Sequence, residues 1–115
     1  MITLTDIKQR SIEVLPGKLY FYSHKVQPKV NIEGAYILNF DKKYAYKAIN
    51  KDFGPINIGD ITNYCREMED VLRNNARGLR KYGQPSDIIV HHCNVNPKTL
   101  VNQAILMCSF LLNCF

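Results

Sequence analysis

Between the turn-forming stretch Gly83-Gln84-Pro85-Ser86 and the loop that begins at Cys93 lies Asp87-Ile88-Ile89-Val90-His91-His92, a short run whose apolar residues do not alternate with polar ones. A strand that faces water on one side alternates with period two, whereas one covered on both faces does not. The run therefore predicts a central strand of a parallel sheet. Parallel neighbours need crossover connections, and a crossover is expected to carry a helix and to be right-handed.

The helix is written upstream. Ile58, Ile61, Cys65, Met68, Leu72, Ala76 and Leu79 fall at spacings of three and four, which predicts one apolar helical stripe. Asn57 is placed to cap its first turn, with Asp60 three residues on. Arg77, Arg80 and Lys81 collect at the carboxyl end, where the helix dipole favours cations. Ser11-Ile12-Glu13-Val14-Leu15 and Lys18-Leu19-Tyr20-Phe21-Tyr22 are β-favouring runs split by Pro16-Gly17, a pair suited to a type II turn. A loop with Pro28 and Gly34 leads to a third strand, Ala35 to Phe40, which Asp41-Lys42-Lys43 ends. Asn96-Pro97 offers a cap and first-turn proline for a last helix over 98–115. The order predicts an α/β fold: a central mixed sheet flanked by helices.

With 115 residues, 46% of them hydrophobic and 22% charged, the chain has enough material for one core and too little for two, so a single domain over 1–115 is expected. The amino terminus shows no basic run followed by an apolar one, which points to a cytoplasmic or nuclear setting. Cys65, Cys93, Cys108 and Cys114 lack metal-ligand spacing, and reduced, mostly buried thiols are expected, with no metal and no cofactor. The net charge of +5 is spread along the chain, and nucleic acid is not the expected partner.

Of the sixteen residues from Leu100 to Phe115, twelve are apolar, so the last helix is expected to be buried nearly all round. It rises about 24 Å, short of the roughly 30 Å hydrocarbon core, so a membrane span is disfavoured. Exposed large side chains on it would each forfeit roughly 1.5 to 3 kcal/mol. A cover is therefore expected, supplied by further chain or by a partner.

His92-Cys93 at a strand end, followed by a loop and a helix amino terminus, has the layout of a cysteine-dependent phosphatase. That chemistry needs a thiolate, glycines that let loop N–H groups converge on a phosphate, an arginine six residues after the cysteine, and an acid for the leaving oxygen. The loop reads Cys93-Asn94-Val95-Asn96-Pro97-Lys98-Thr99. Thr99 stands at the arginine position, no glycine is present, Pro97 lacks an N–H, and Lys98 is out of register and has no planar fork. Catalysis by this loop is not expected, and its structural reading is the end of a core strand. Asp52-Phe53-Gly54 matches a kinase magnesium triplet but lacks the accompanying motifs. His24 and His91 read as core or surface histidines.

Asp52-Phe53-Gly54-Pro55-Ile56-Asn57-Ile58, with Tyr64-Cys65 on the helix, resembles a signature of the Cdc-fourteen family of dual-specificity protein phosphatases. Lys18 to Phe21, Tyr36-Ile37-Leu38, Ile89-Val90-His91 and Val101-Asn102-Gln103-Ala104 resemble, in order, further strands and a buried helix of that family. The resemblance implies a partial phosphatase-like fold, truncated at its last helix, corresponding to the amino-terminal domain of a tandem pair. It implies that the active H-C-x-x-G-x-x-R loop belongs to a second domain, absent here, and that the first domain helps position phosphoprotein substrates in cell-cycle control. Asp52, Phe53, Gly54, Pro55, Asn57 and Tyr64 are then structural signature residues. Arg10 and Asn96 align with acidic groove residues of the family, which puts a preference for basic substrates in doubt. Together with Lys98 they are the substrate-groove candidates, while His92, Cys93 and Thr99 form a vestigial loop. Two alternatives stand beside this reading: a small active phosphatase using Cys93 with Lys98, and a free-standing interaction module whose partner covers the last helix.

Overall fold

The computed structural model describes residues 2–25, 32–45, 58–78 and 86–114. Among them the chain forms α1 (Leu4–Arg10), β1 (Ile12–Leu15), β2 (Leu19–Ser23), β3 (Ala35–Asn39), α2 (Ile58–Ala76), β4 (Ile88–Cys93) and α3 (Pro97–Cys114). The apolar run is the centre of the sheet. The strand order is β1-β2-β4-β3, with β4 parallel to both neighbours and all six of its residues buried. The β1-β2 pair is an antiparallel hairpin. Its turn closes with Lys18 N donating to Leu15 O at 2.9 Å, and Gly17 takes the positive φ of 67° that the second central position of a type II turn requires.

Strand alternation sends the side chains into two layers. Leu19, Phe21 and Ile89 join Tyr64, Met68 and Val71 of α2 and Leu106, Met107 and Phe110 of α3 on one face. Tyr20, Tyr22, Ala35, Ile37, Ile88 and Val90 form the other face, closed by Ile7 of α1. That short helix is not anticipated from the apolar pattern. It is held by a capping box in which Thr3 Oγ1 accepts from Asp6 N and Asp6 Oδ2 accepts from Thr3 N. Leu4 packs so close to Gly34 that a Cβ there would lie 2.9 Å from its Cδ2.

Two expectations about the helices need correction. The buried line of α2 runs through Tyr64, Met68, Val71 and Asn75, rotated from the expected stripe, and Ala76 is exposed. Asn75 is drawn inward because its Oδ1 accepts from Lys18 Nζ, which also donates to Asp87 O at 2.9 Å. The helix stops at Ala76, where Gly78 adopts a φ of 74° and its N–H bonds to Asn75 O. Leu79, Arg80 and Lys81 lie outside the described residues, as do Pro28, Gly83, Gln84 and Pro85.

The expected all-round burial of α3 is not found: Leu106, Met107 and Phe110 are in the core, but one stripe is open and two amides are enclosed. Asn102 and Gln103 are buried, whereas Val101, Cys108 and Leu112 are exposed, the last at 83%. The cause is the turn after β3: Asn102 Nδ2 donates to Tyr44 O at 2.6 Å, and Gln103 Nε2 donates to Phe40 O and Tyr44 O at 3.3 and 3.2 Å. Buried carbonyls outside a ladder need donors, and these two amides supply them. No helix among the described residues is long and apolar enough to cross a membrane.

Candidate functional site

Because β2, β3 and β4 run parallel, they end at one edge of the sheet, the place where open α/β sheets carry their ligand clefts. A cleft of 440 Å³ opens there, lined by Lys25, Asn39, Asp41, Lys42, His92 and Asn94. Register explains its walls: Asn39 of β3 pairs with His92 of β4, and Tyr22 of β2 pairs with the same histidine from the other side.

His92 is locked by its neighbours. Its Nε2 donates to His24 O at 3.0 Å, which leaves Nδ1 to accept from Asn39 Nδ2 at 2.8 Å. Burial lowers its pKa from the ordinary histidine value, so the neutral ring is favoured. Asn39 Nδ2 also donates to Asp41 Oδ2 at 3.2 Å, and Asn39 Oδ1 accepts from Asp41 N at 2.9 Å. Asp41 Oδ2 takes a further donor, the backbone N–H of Asn94, at 3.0 Å.

The loop after β4 is thus turned toward side chains of the protein itself. Asn94 N is held by Asp41, Asn96 N donates to Asn94 Oδ1 at 2.8 Å, and Lys98 N and Thr99 N donate to Asn96 Oδ1 at 3.1 and 3.4 Å. Asn96 is the expected cap of α3, with Leu100 N bonding to its carbonyl at 2.8 Å. Cys93 is fully buried, and burial, reinforced by the Asp41 carboxylate, pushes its thiol up to about 12. A thiol at that value is almost wholly protonated near neutrality, the opposite of a nucleophilic cysteine.

His91 points to the face opposite His92, the same layer as Cys93 and Tyr64, and is a satisfied core histidine. Its Nδ1 accepts from the Tyr64 hydroxyl at 2.7 Å, and its Nε2 donates to Gln103 Oε1 at 2.9 Å. Burial lowers its pKa to about 4. Tyr64, singled out as a signature residue, therefore ties α2 to β4 and, through Gln103, to α3.

Of the remaining candidates, Arg10 is exposed at the end of α1. Ile12 pairs with Phe21, so Arg10 enters at the same edge of the sheet as the β4 loop and acts electrostatically on Tyr22. Asn96 and Lys98 are exposed and Thr99 is half-buried in the first turn of α3. Asp52, Phe53, Gly54, Pro55 and Asn57 lie outside the described residues. Lys25, Asn39, Asp41, Lys42 and Asn94 are cleft residues that the sequence did not single out. The available signal was Asn39-Phe40-Asp41-Lys42 directly after a strand, which reads equally well as an ordinary turn.

A mixed sheet with two helices on one face and the cysteine loop at its parallel edge defines a partial phosphatase-like α/β fold. The family model described as "Dual specificity protein phosphatase, N-terminal half" matches residues 13–114, and the chain belongs to that family. It is 26% identical over 95 residues to dual specificity protein phosphatase CDC14A of Mus musculus, covering 83% of this chain and 14% of the relative. The human protein of the same name is 25% identical over 95 residues, 83% of this chain and 15% of the relative. CDC14AB of Danio rerio is 24% identical, again over 83% of this chain and 14% of the relative. The chain thus spans about a seventh of the length of these relatives.

Proposed function

We propose that this chain is a non-catalytic domain of a dual-specificity phosphatase, packing against a separate catalytic domain and helping to position phosphoprotein substrates. The observation that carries the reading is the state of the β4 loop. Its N–H groups at Asn94, Asn96, Lys98 and Thr99 are spent on internal side chains, and the Cys93 thiol is enclosed and protonated. An oxyanion hole works only when its donors are free and aimed at the developing charge. The cell-cycle setting comes from the family resemblance alone.

The exposed stripe of α3 supports the partner. Val101, Cys108 and Leu112 fall along one line of the helix, and no charged residue occurs from Thr99 to Phe115. A solvated helix face normally carries charge, so this stripe is suited to burial against the catalytic domain. Arg10, Asn96 and Lys98, near the loop edge, are the residues offered to substrate.

The test has two arms. Hydrolysis of an aryl phosphate is measured for the chain and for Cys93→Ser, and no Cys93-dependent turnover is expected. A catalytic domain bearing H-C-x-x-G-x-x-R is then added, and binding that Leu112→Lys weakens is expected. Turnover abolished by Cys93→Ser would refute the reading.

A further inference from the structure

We propose that His92, Asn39 and Asp41 form a proton-operated latch that holds the turn after β3 against the β4 loop. The latch is closed while the His92 ring is neutral, and a proton on Nδ1 opens it. Three strand ends meet there. His92 Nε2 donates to His24 O, just beyond β2, at 3.0 Å, and this bond is kept whichever charge the ring carries. On its other side Nδ1 accepts from Asn39 Nδ2 at 2.8 Å. One orientation of the Asn39 amide serves all of these partners at once: Nδ2 also donates to Asp41 Oδ2 at 3.2 Å, and Oδ1 accepts from Asp41 N at 2.9 Å. Asp41 Oδ2 carries the hold across to the β4 loop by accepting from Asn94 N at 3.0 Å.

An imidazolium has two donors and no acceptor. A proton on Nδ1 sets it donor to donor against Asn39 Nδ2, and with the ring pinned at Nε2 it is the Asn39 amide that must yield. Reversing that amide offers Oδ1 to the ring, but it sets Nδ2 against Asp41 N and withdraws the donor from Asp41 Oδ2. Both Asn39–Asp41 bonds are lost together. The turn is then left with the Asn94 N contact, on a carboxylate whose Oδ1 is already buried without a hydrogen-bond partner among the described residues. The surroundings set where the proton enters. Burial disfavours the charged ring and His24 opposes it, whereas Asp41 favours it. Lys25 and Lys42 line the same cleft and oppose it as like charges. The neutral Tyr22 ring lies 6.0 Å away, and on the same strand Cys93 stays protonated while His91 stays neutral down to about 4. The latch therefore holds at neutral pH and opens on the acid side of the ordinary histidine value. This inference is independent of the proposed role, since it concerns how the loop is held and neither turnover nor domain packing.

The isotopically labelled chain is titrated by nuclear magnetic resonance from about pH 7 to about pH 5, across the histidine range. The His92 ring nitrogens, the Asn39 side-chain amide and hydrogen exchange at Asp41 N and Asn94 N are followed. The Asn39 side-chain resonances are expected to move with the same midpoint as the His92 ring. Protection of the Asp41 and Asn94 amides, corrected for the intrinsic exchange rate, is expected to fall about fivefold, because the open state binds the proton more tightly than the closed one. His92→Gln, which keeps an uncharged acceptor for Asn39, should abolish that fall while leaving the response of the Val90 amide, which reports on the whole sheet, as it was. Should this variant fail to fold, the shared midpoint in the native chain decides the matter. An Asn39 side chain that does not follow the His92 titration, or a fall at Asp41 and Asn94 that survives in His92→Gln, would overturn the proposal.

Discussion

The Tyr64 hydroxyl donates to His91 Nδ1 across 2.7 Å inside the core, joining the middle of α2 to the central strand. Both groups are sealed from water, with Tyr64 and His91 at 0% exposure. Tyr64→Phe leaves a ring nitrogen buried without a donor, at a cost of about 1–3 kcal/mol. Urea denaturation of the two proteins at pH 7 measures it, and an unchanged midpoint would contradict the role assigned to the pair.

The same histidine sets an acid response. Its folded pKa of about 4 lies below the ordinary value of 6.5, so the unfolded chain takes up the proton first as pH falls. Stability is full above about pH 6.5 and declines toward pH 4 by about 3 kcal/mol from this group. His92, also lowered by burial, adds a loss of the same sign. Denaturation midpoints between pH 7 and pH 4 should fall, with a shallower slope in His91→Asn.

Thiol chemistry separates the described cysteines by environment. Cys108 is exposed, Cys65 half-buried, and Cys93 buried with its pKa pushed to about 12. Maleimide labelling read by peptide mass should mark Cys108 first and Cys93 only as fast as the protein unfolds. Rapid labelling of Cys93 in the folded chain would count against its enclosure.

Leu112 is the most exposed large apolar residue among those described, so its folded-state contacts are few. Leu112→Lys should change the stability of the chain by no more than about 0.5 kcal/mol. A large loss of stability would mean that the residue is already packed and the stripe is not open to a partner.

Gly34 combines a φ of 87° with a Leu4 side chain that would come within 2.9 Å of an alanine methyl at this position. Gly34→Ala is expected to cost more than about 1 kcal/mol, since the left-handed backbone and the steric contact both penalise it. Leu4→Ala in the same chain should relieve only the steric part, which thermal unfolding of the pair can separate.

Much of this architecture was legible from local chemistry. The unalternating run at Ile88 to His92, the Pro16-Gly17 turn and the Asn96-Pro97 cap each depend on neighbours in sequence, and each takes its expected form. The buried face of α2 departs from the periodic stripe because Asn75 is held inward by Lys18, a residue 57 positions away. The seven residues of α1 carry little periodicity, and the capping box at Thr3 and Asp6 is its sign in the sequence.

The sequence alone determined the fold class, the central strand and the chemical poverty of the Cys93 loop, because these follow from residue types and short-range spacing. Tertiary structure alone decided what surrounds that loop. Asp41 reaches Asn94 across 53 positions, and Asn102 and Gln103 turn inward to meet carbonyls roughly 60 residues away in sequence. A buried polar group takes whichever partner the packed chain brings to it, and that partner is set by the register of the sheet rather than by the residues beside it.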